Sequence, residues 1–333
     1  MKSSAVSSFR KAINNANLSR FRFYFQATSF VLLVYGGYLA INIGDQLPTF
    51  GCIFTDHRGG SCYLYGFQHQ MGTPFKSLFS GRGIGILIGL LTFVGFFIIF
   101  NKAWCGFACP LGTIQDWLTA LRNKFRIRYA NYSEPVFQRL KKIKYFLLAL
   151  LILIPMAIGN SFFGLPKLSH DFGVPFCMIC PGRTVLPMFS GDFSQLAIDL
   201  SSKTKMIFTA LGLLITGIFL AGAFVKKRFF CLFCPMSAFH YVFAKAALLR
   251  LGKNGAKCTR CGNCYRACDV GIRGIADDLE HKNIVKDDCM MCFKCVEMCP
   301  EEGCLKVKFL GLPLYESTEE GFFKRMQGQN NAN

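Results

Sequence analysis

Four stretches of the chain run apolar without a charge: Phe23–Ile43, Gly83–Phe100, Tyr145–Phe163 and Met206–Val225. Each approaches the ~20 residues that an α-helix needs to cross a ~30 Å hydrocarbon core, so the pattern predicts four transmembrane helices. Pro155 falls inside the third, and membrane helices tolerate proline where neighbouring groups satisfy the freed carbonyl. Residues 237–252 take up the periodicity of a short amphipathic helix leading off the membrane. From Gly311 to the closing QGQNNAN the pattern is weak and predicts a disordered tail. The expected division is a basic segment at 1–22, a membrane domain at 23–252, a cysteine-rich domain at 253–310 and a tail at 311–333.

Composition agrees with a lipid solvent: 52% of residues are hydrophobic, 17% are charged, and 36 are Phe. A formal net charge of +19 first suggests nucleic acid, but the charge gathers in particular loops beside the apolar stretches rather than forming a binding face. Lys2, Arg10, Lys11, Arg20 and Arg22 precede or flank the first stretch with no acid among them, and residues 102–144 hold nine Lys and Arg against two acids. Residues 44–80 and 161–203 are balanced. The positive-inside rule then makes both termini and the 102–144 loop cytoplasmic, in a multi-pass protein of a bacterial inner membrane. No cleavable signal peptide is evident at the N-terminus. None of the five His lies in a predicted span, so paired ligands for an intramembrane haem are lacking, and each reads as a loop residue. The spans also lack the ionisable residues of a proton or ion relay.

Chemistry enters with the cysteines, of which there are seventeen. Two runs, CTRCGNCYRACD from Cys258 and CMMCFKCVEMCP from Cys289, share the spacing C-x2-C-x2-C-x3-C. In bacterial-type ferredoxins three close-set thiolates clasp one cubane and the fourth reaches the other cluster. This pairing predicts one [4Fe–4S] cluster on Cys258, Cys261, Cys264 and Cys299, and a second on Cys289, Cys292, Cys295 and Cys268. Zinc knuckles normally use two Cys pairs split by a longer spacer. Asp269 stands where the first run would more usually carry proline.

The remaining cysteines fall into a repeat. After the second and fourth apolar stretches come NKAWCGFACPLG and VKKRFFCLFCPMS, each a basic patch, an aromatic, a Cys pair and Pro. Each half also has a pair in its outer loop, Cys52 with Cys62 and Cys177 with Cys180 before Pro181. Parallel repeats pack about an axis along the membrane normal, which would bring Cys105, Cys109, Cys231 and Cys234 together at the inner face. They suit a third [4Fe–4S] cluster; zinc or four packed thiols are the other readings. The outer set of Cys52, Cys62, Cys177 and Cys180 admits a fourth cluster or disulfides. Cys304 is left as a core thiol of the cysteine-rich domain.

With these motifs the chain resembles the NapH-type membrane ferredoxins, the quinol dehydrogenase membrane component group, with NosR-, CcoG- and YccM-like relatives. The likeness covers residues 20–308 and rests on the four spans, the Cys-x3-Cys-Pro motif at Cys105–Pro110 and the tandem ferredoxin runs. At Cys231–Pro235 the second motif has two intervening residues where family members have three. The resemblance implies electron transfer between the quinone pool or a cytoplasmic donor and a partner reductase or maturation system. The expected fold is therefore membrane all-α, four transmembrane helices in two parallel repeats, with a C-terminal α+β di-cluster ferredoxin domain. Expected partners are the membrane, other redox subunits (a soluble ferredoxin-type or reductase partner) and quinone, with no nucleic acid. A thiol–disulfide relay, a metal-centre maturation factor and a structural anchor are the rival readings. Because one tunnelling step cannot cross a ~30 Å core, full transmembrane transfer should need an intermediate carrier.

Overall fold

The computed structural model describes residues 13–44, 51–74, 81–130, 132–160, 173–286 and 288–330; His170 and the first twelve residues of the basic segment lie outside them. Helices and strands follow in the order α1 Leu18–Tyr35, α2 Tyr63–Met71, α3 Gly81–Phe100, α4 Ala103–Phe107, α5 Pro110–Lys124, α6 Glu134–Leu140, α7 Ile143–Gly159, α8 Pro175–Ile179, α9 Pro181–Phe189, α10 Lys203–Val225 and α11 Pro235–Phe243. Then come β1 Leu249–Lys253, α12 Asn263–Arg266, α13 Gly274–Asp277, α14 Lys294–Glu297, β2 Leu305–Phe309, β3 Leu312–Glu316 and α15 Glu319–Asn330.

Among the described residues three helical segments are long and apolar enough to cross a membrane: Gly83–Phe100, Glu134–Gly159 and Lys203–Val225. Many of their large side chains are exposed; Ile84, Leu91, Phe146, Ile207 and Leu214 are all more than 60% exposed, a surface that suits lipid and not water. The first apolar stretch behaves differently. α1 starts at Leu18, takes in Arg20 and Arg22, and stops at Tyr35, well short of the expected Ile43. It stops because a short 3₁₀ turn, Gly36–Leu39, lets another backbone close in. A Cβ on Gly36 would lie 2.6 Å from Gly59 Cα, and one on Gly37 would lie 2.5 Å from the His57 carbonyl. Two glycines thus replace a last helical turn with backbone-to-backbone packing.

The chain forms two compact units. The first gathers Met1–Phe25, Phe97–Phe107 and Phe243–Asn333. Its centre is an antiparallel sheet ordered β1-β2-β3, with Leu249 opposite Phe309 and Lys253 opposite Leu305. The expected amphipathic helix over 237–252 is therefore corrected: α11 ends at Phe243 and Leu249–Lys253 is a strand, with Leu249 and Leu251 buried and Arg250 exposed. Gly252 and Lys253 are buried as well, so the strand is enclosed along most of its length. The tail is corrected as well. Leu310 (φ 52°) and Gly311 (φ 84°) make a tight turn from β2 into β3, and α15 follows. Arg325 of α15 donates through Nε and Nη2 to the Glu297 carbonyl at 3.0 and 2.6 Å. The Glu297 carboxylate in turn accepts from the Ser19 N–H at 2.9 Å and from the Ser19 hydroxyl, at the positive end of α1.

The second unit gathers Gln26–Phe96 and Ala108–Val242. Its core includes Phe30, Val34, Leu111, Ile114, Val185, Leu186 and Phe219, with Cys52, Cys109 and Cys180 packed against it. The outer segments run back into this unit. Tyr63 of α2 stacks on Phe93 at 3.8 Å, two thirds of the way along α3 towards Phe100, and Phe67 meets Phe239 of α11 at 5.0 Å. On the other side Thr184 of α9 lies 3.4 Å from Thr216 of α10, hydroxyl to hydroxyl.

Candidate iron–sulfur sites

In the first unit Cys258, Cys261, Cys264 and Cys299 line one cavity of about 20 Å³, and Cys268, Cys289, Cys292 and Cys295 line another of about 20 Å³. Each therefore draws three cysteines from one run and the last cysteine of the other. Each is flanked by a cation. Lys253 acts on Cys264 while donating to the Ile275 and Ala276 carbonyls at 2.9 and 2.7 Å, and Lys102 acts on Cys289. Burial is the main force that pushes the Cys268 and Cys289 thiols up, to about 11 and about 12. Thiolates enclosed this far are stable only against compensating positive charge, which cluster iron supplies. Ile272 N–H, 3.5 Å from Cys268 Sγ, adds a backbone donor.

Cys304, expected in the core, also lines the first of these cavities. Its thiol faces Cys299, holding the Cys299 pKa down while its own is pushed up. Asp269 is explained too. Its carboxylate is buried and takes Arg22 at 3.3 Å and Lys294 at 2.7 Å, and Arg22 also donates Nε to the Gly106 carbonyl at 2.9 Å. Gly106, beside Cys105, abuts the second run, where a Cβ would sit 2.5 Å from the Met290 carbonyl oxygen, so that backbone needs a glycine.

In the second unit Cys109, Cys231 and Cys234 lie within electrostatic reach of one another. Cys105 belongs to the first unit, and the chain passes from one unit to the other between Phe107 and Ala108. Cys109 directly precedes α5, and Cys234 directly precedes α11. The first-turn amides of Leu111 and Gly112 act on the Cys109 sulfur, and those of Met236 and Ser237 on Cys234. Free amides at a helix start favour negative charge, so these helices present thiolate-stabilising ends. Proline at the first helical position withholds no bonded donor there.

Behind this site Gln115 is fully buried; its Oε1 accepts the Phe230 N–H at 2.9 Å and its Nε2 lies 3.9 Å from Cys231 Sγ. Arg228 acts on Cys231 and is held by Asp116 through Nε at 2.8 Å and Nη2 at 2.5 Å. Neither Gln115 nor the Arg228–Asp116 pair was apparent from cysteine spacing; the residues approach only after folding. Gln115→Leu should lower the affinity of this cysteine set for iron ~10–100-fold in a chelator competition, the usual cost of losing a group that orients a metal ligand.

Cys52, Cys62, Cys177 and Cys180 also come together, around a cavity of about 60 Å³. Cys234 shares its wall, and Cys109 acts electrostatically on Cys62. Cys109 and Cys234 are thus neighbours of the outer set within the second unit. None of the seventeen cysteines is joined in a disulfide in the structure. Among the described residues no three His, Cys, Asp or Glu side chains converge closely enough for a single metal ion. The thiols instead ring small cavities, the arrangement that a cluster of several irons requires. Of the histidines, His240 is buried on α11 near Phe93, contrary to its expected place in a loop, whereas His281 is exposed and pairs with Asp278 at 3.0 Å.

Comparison with known proteins agrees with this chemistry. A 4Fe-4S binding domain matches twice, at residues 82–128 and 208–254, and a 4Fe-4S dicluster domain matches residues 250–300. The paired matches contain Cys105, Cys109, Cys231 and Cys234 and stop short of the outer set. The uncharacterised protein MJ0750 of Methanocaldococcus jannaschii is 25% identical over 231 residues, 68% of this chain and 81% of its own. The putative electron transport protein YccM of Escherichia coli is 24% identical over 211 residues, 63% of this chain and 52% of YccM. The ferredoxin-type protein NapH of Haemophilus influenzae is 24% identical over 225 residues, 65% of this chain and 66% of NapH. Other relatives carry the names NosR, NirI and MauN. The chain spans between half and two thirds of YccM and NapH. No solved structure matches it. The resemblance drawn from the motifs therefore holds: the chain is similar to the NapH-type ferredoxin proteins, and it matches a 4Fe-4S binding domain twice and a 4Fe-4S dicluster domain once.

Proposed function

We propose that the chain is a membrane-embedded electron-transfer subunit linking a cytoplasmic redox partner to the quinone pool or to an extracytoplasmic partner. The observation that carries this reading is the density of enclosed thiol sets, two in the ferredoxin unit and a third on helices beside three apolar spans. When bound, [4Fe–4S] clusters store and pass single electrons. Cys258, Cys261, Cys264 and Cys299 would hold one, Cys268, Cys289, Cys292 and Cys295 a second, and Cys105, Cys109, Cys231 and Cys234 a third. The protein's own part is to bury the thiolates, turn backbone amides and Lys or Arg towards them, and keep water out. Four spans in two parallel repeats, with both termini cytoplasmic, fit the charge distribution and the duplicate domain match, α1 being the least apolar of the four.

A thiol–disulfide relay needs accessible thiols of lowered pKa, and the packing of Cys109 against an apolar core speaks against it. The quinone link is tested in proteoliposomes. After the ferredoxin clusters are reduced from outside, a menaquinone analogue in the bilayer should reoxidise them. If they stay reduced, the quinone link fails.

A further inference from the structure

The outer cysteines Cys62, Cys177 and Cys180 repeat the construction around Cys109, Cys231 and Cys234. Phe176-Cys177-Met178-Ile179-Cys180-Pro181 and Phe230-Cys231-Leu232-Phe233-Cys234-Pro235 share the pattern F-C-x2-C-P. In each, a fully buried glutamine from another helix clamps the start of the motif. Gln68 Oε1 accepts the Phe176 N–H at 3.1 Å as Gln115 Oε1 accepts that of Phe230. Gln68 Nε2 donates to Cys177 Sγ at 3.1 Å as Gln115 Nε2 approaches Cys231 Sγ. Both glutamines are the sixth residue after a cysteine that immediately precedes a helix: Cys62 leads to Gln68 on α2, and Cys109 leads to Gln115 on α5. First-turn amides again act on the sulfurs, Leu64 and Tyr65 on Cys62, and Gly182 on Cys180. A cation is again near: Arg183 lines the cavity, lies 4.7 Å over the Phe54 ring, and acts on Cys52 and Cys177.

We infer that Cys52, Cys62, Cys177 and Cys180 hold a further [4Fe–4S] cluster, in a copy of the inner site that neighbours it. The inference rests on the reading of the inner set as a cluster site. Disulfides would fit this environment poorly. Helix-start amides, a buried carboxamide donor and a guanidinium all favour negative charge on sulfur, and a disulfide sulfur is neutral. A single zinc ion fits poorly as well, because the four thiols surround an open cavity. Since Cys234 lines that cavity, the two membrane-domain stations would be near neighbours, with no carrier between them.

The test is iron and acid-labile sulfide in full-length protein purified without oxygen, with zinc measured alongside. About sixteen of each per chain is expected, against about twelve in the Cys52→Ser/Cys177→Ser double variant. About twelve in the native protein, with Cys52–Cys62 or Cys177–Cys180 recovered as disulfides or with stoichiometric zinc, overturns the inference and leaves the inner site standing. About eight overturns both. Should the double variant fail to fold, the native count, with mass spectrometry of alkylated thiols, decides alone.

Discussion

Asp269→Ala is expected to destabilise the ferredoxin unit by about 3–5 kcal/mol, the usual result of removing one partner from a buried ion pair. Asp269 ends the first cysteine run, its carboxylate is 3% exposed, and it faces Arg22 at 3.3 Å and Lys294 at 2.7 Å. Arg22, on the first helix, is as deeply enclosed and cannot regain water when the carboxylate goes. The same guanidinium holds the Gly106 carbonyl, and Gly106 packs on the Met290 backbone of the second run, so the loss should reach the second cluster cavity. Asp269→Asn keeps the shape and an acceptor and should cost less. The readout is the denaturant midpoint for loss of visible cluster absorbance; a change within ~0.5 kcal/mol, typical of a surface site, would refute this role.

Cys231→Ala should remove about four irons per chain and leave the ferredoxin signals in place. Cys231 shares its site with Cys109 and Cys234, and its sulfur is approached by Gln115 Nε2 and acted on by Arg228. With one thiolate lost, three sulfurs remain for a group that takes four, and the cation and amide donors lose the charge they serve. Transfer from the ferredoxin unit to quinone should fall on the order of a hundredfold, the upper end of what disturbing a metal's surroundings costs, since here a ligand itself is lost. Unchanged iron content and transfer would leave Cys231 a packing residue.

Much of this was legible in the sequence because cluster ligands are set at short, fixed spacings. The runs from Cys258 and Cys289 and the paired Cys-Pro motifs mark their sites without reference to the fold, and the long apolar helices follow from composition alone. What was not legible depended on long-range closure. Leu249–Lys253 becomes a strand by pairing with Leu305–Phe309, a partner far along the chain, which also orders the tail. α1 ends at Tyr35 because distant backbone at Gly59 packs on Gly36. The nearness of Cys109 and Cys234 to the outer thiols comes from how α2 and α9 pack within the second unit, which no local pattern reports. One signal was present and unread: a glutamine six residues after Cys62 and again after Cys109.

The central claim is that electrons entering at the ferredoxin unit reach the thiol sites of the membrane domain. Freeze-quench EPR of full-length protein in liposomes tests it directly, with electrons supplied by a photoreductant confined to the side of the ferredoxin unit. The ferredoxin signals should appear first and then decline as a further signal rises, one that is absent from Cys231→Ala. Ferredoxin signals that persist while the membrane-domain signal stays silent would contradict the account.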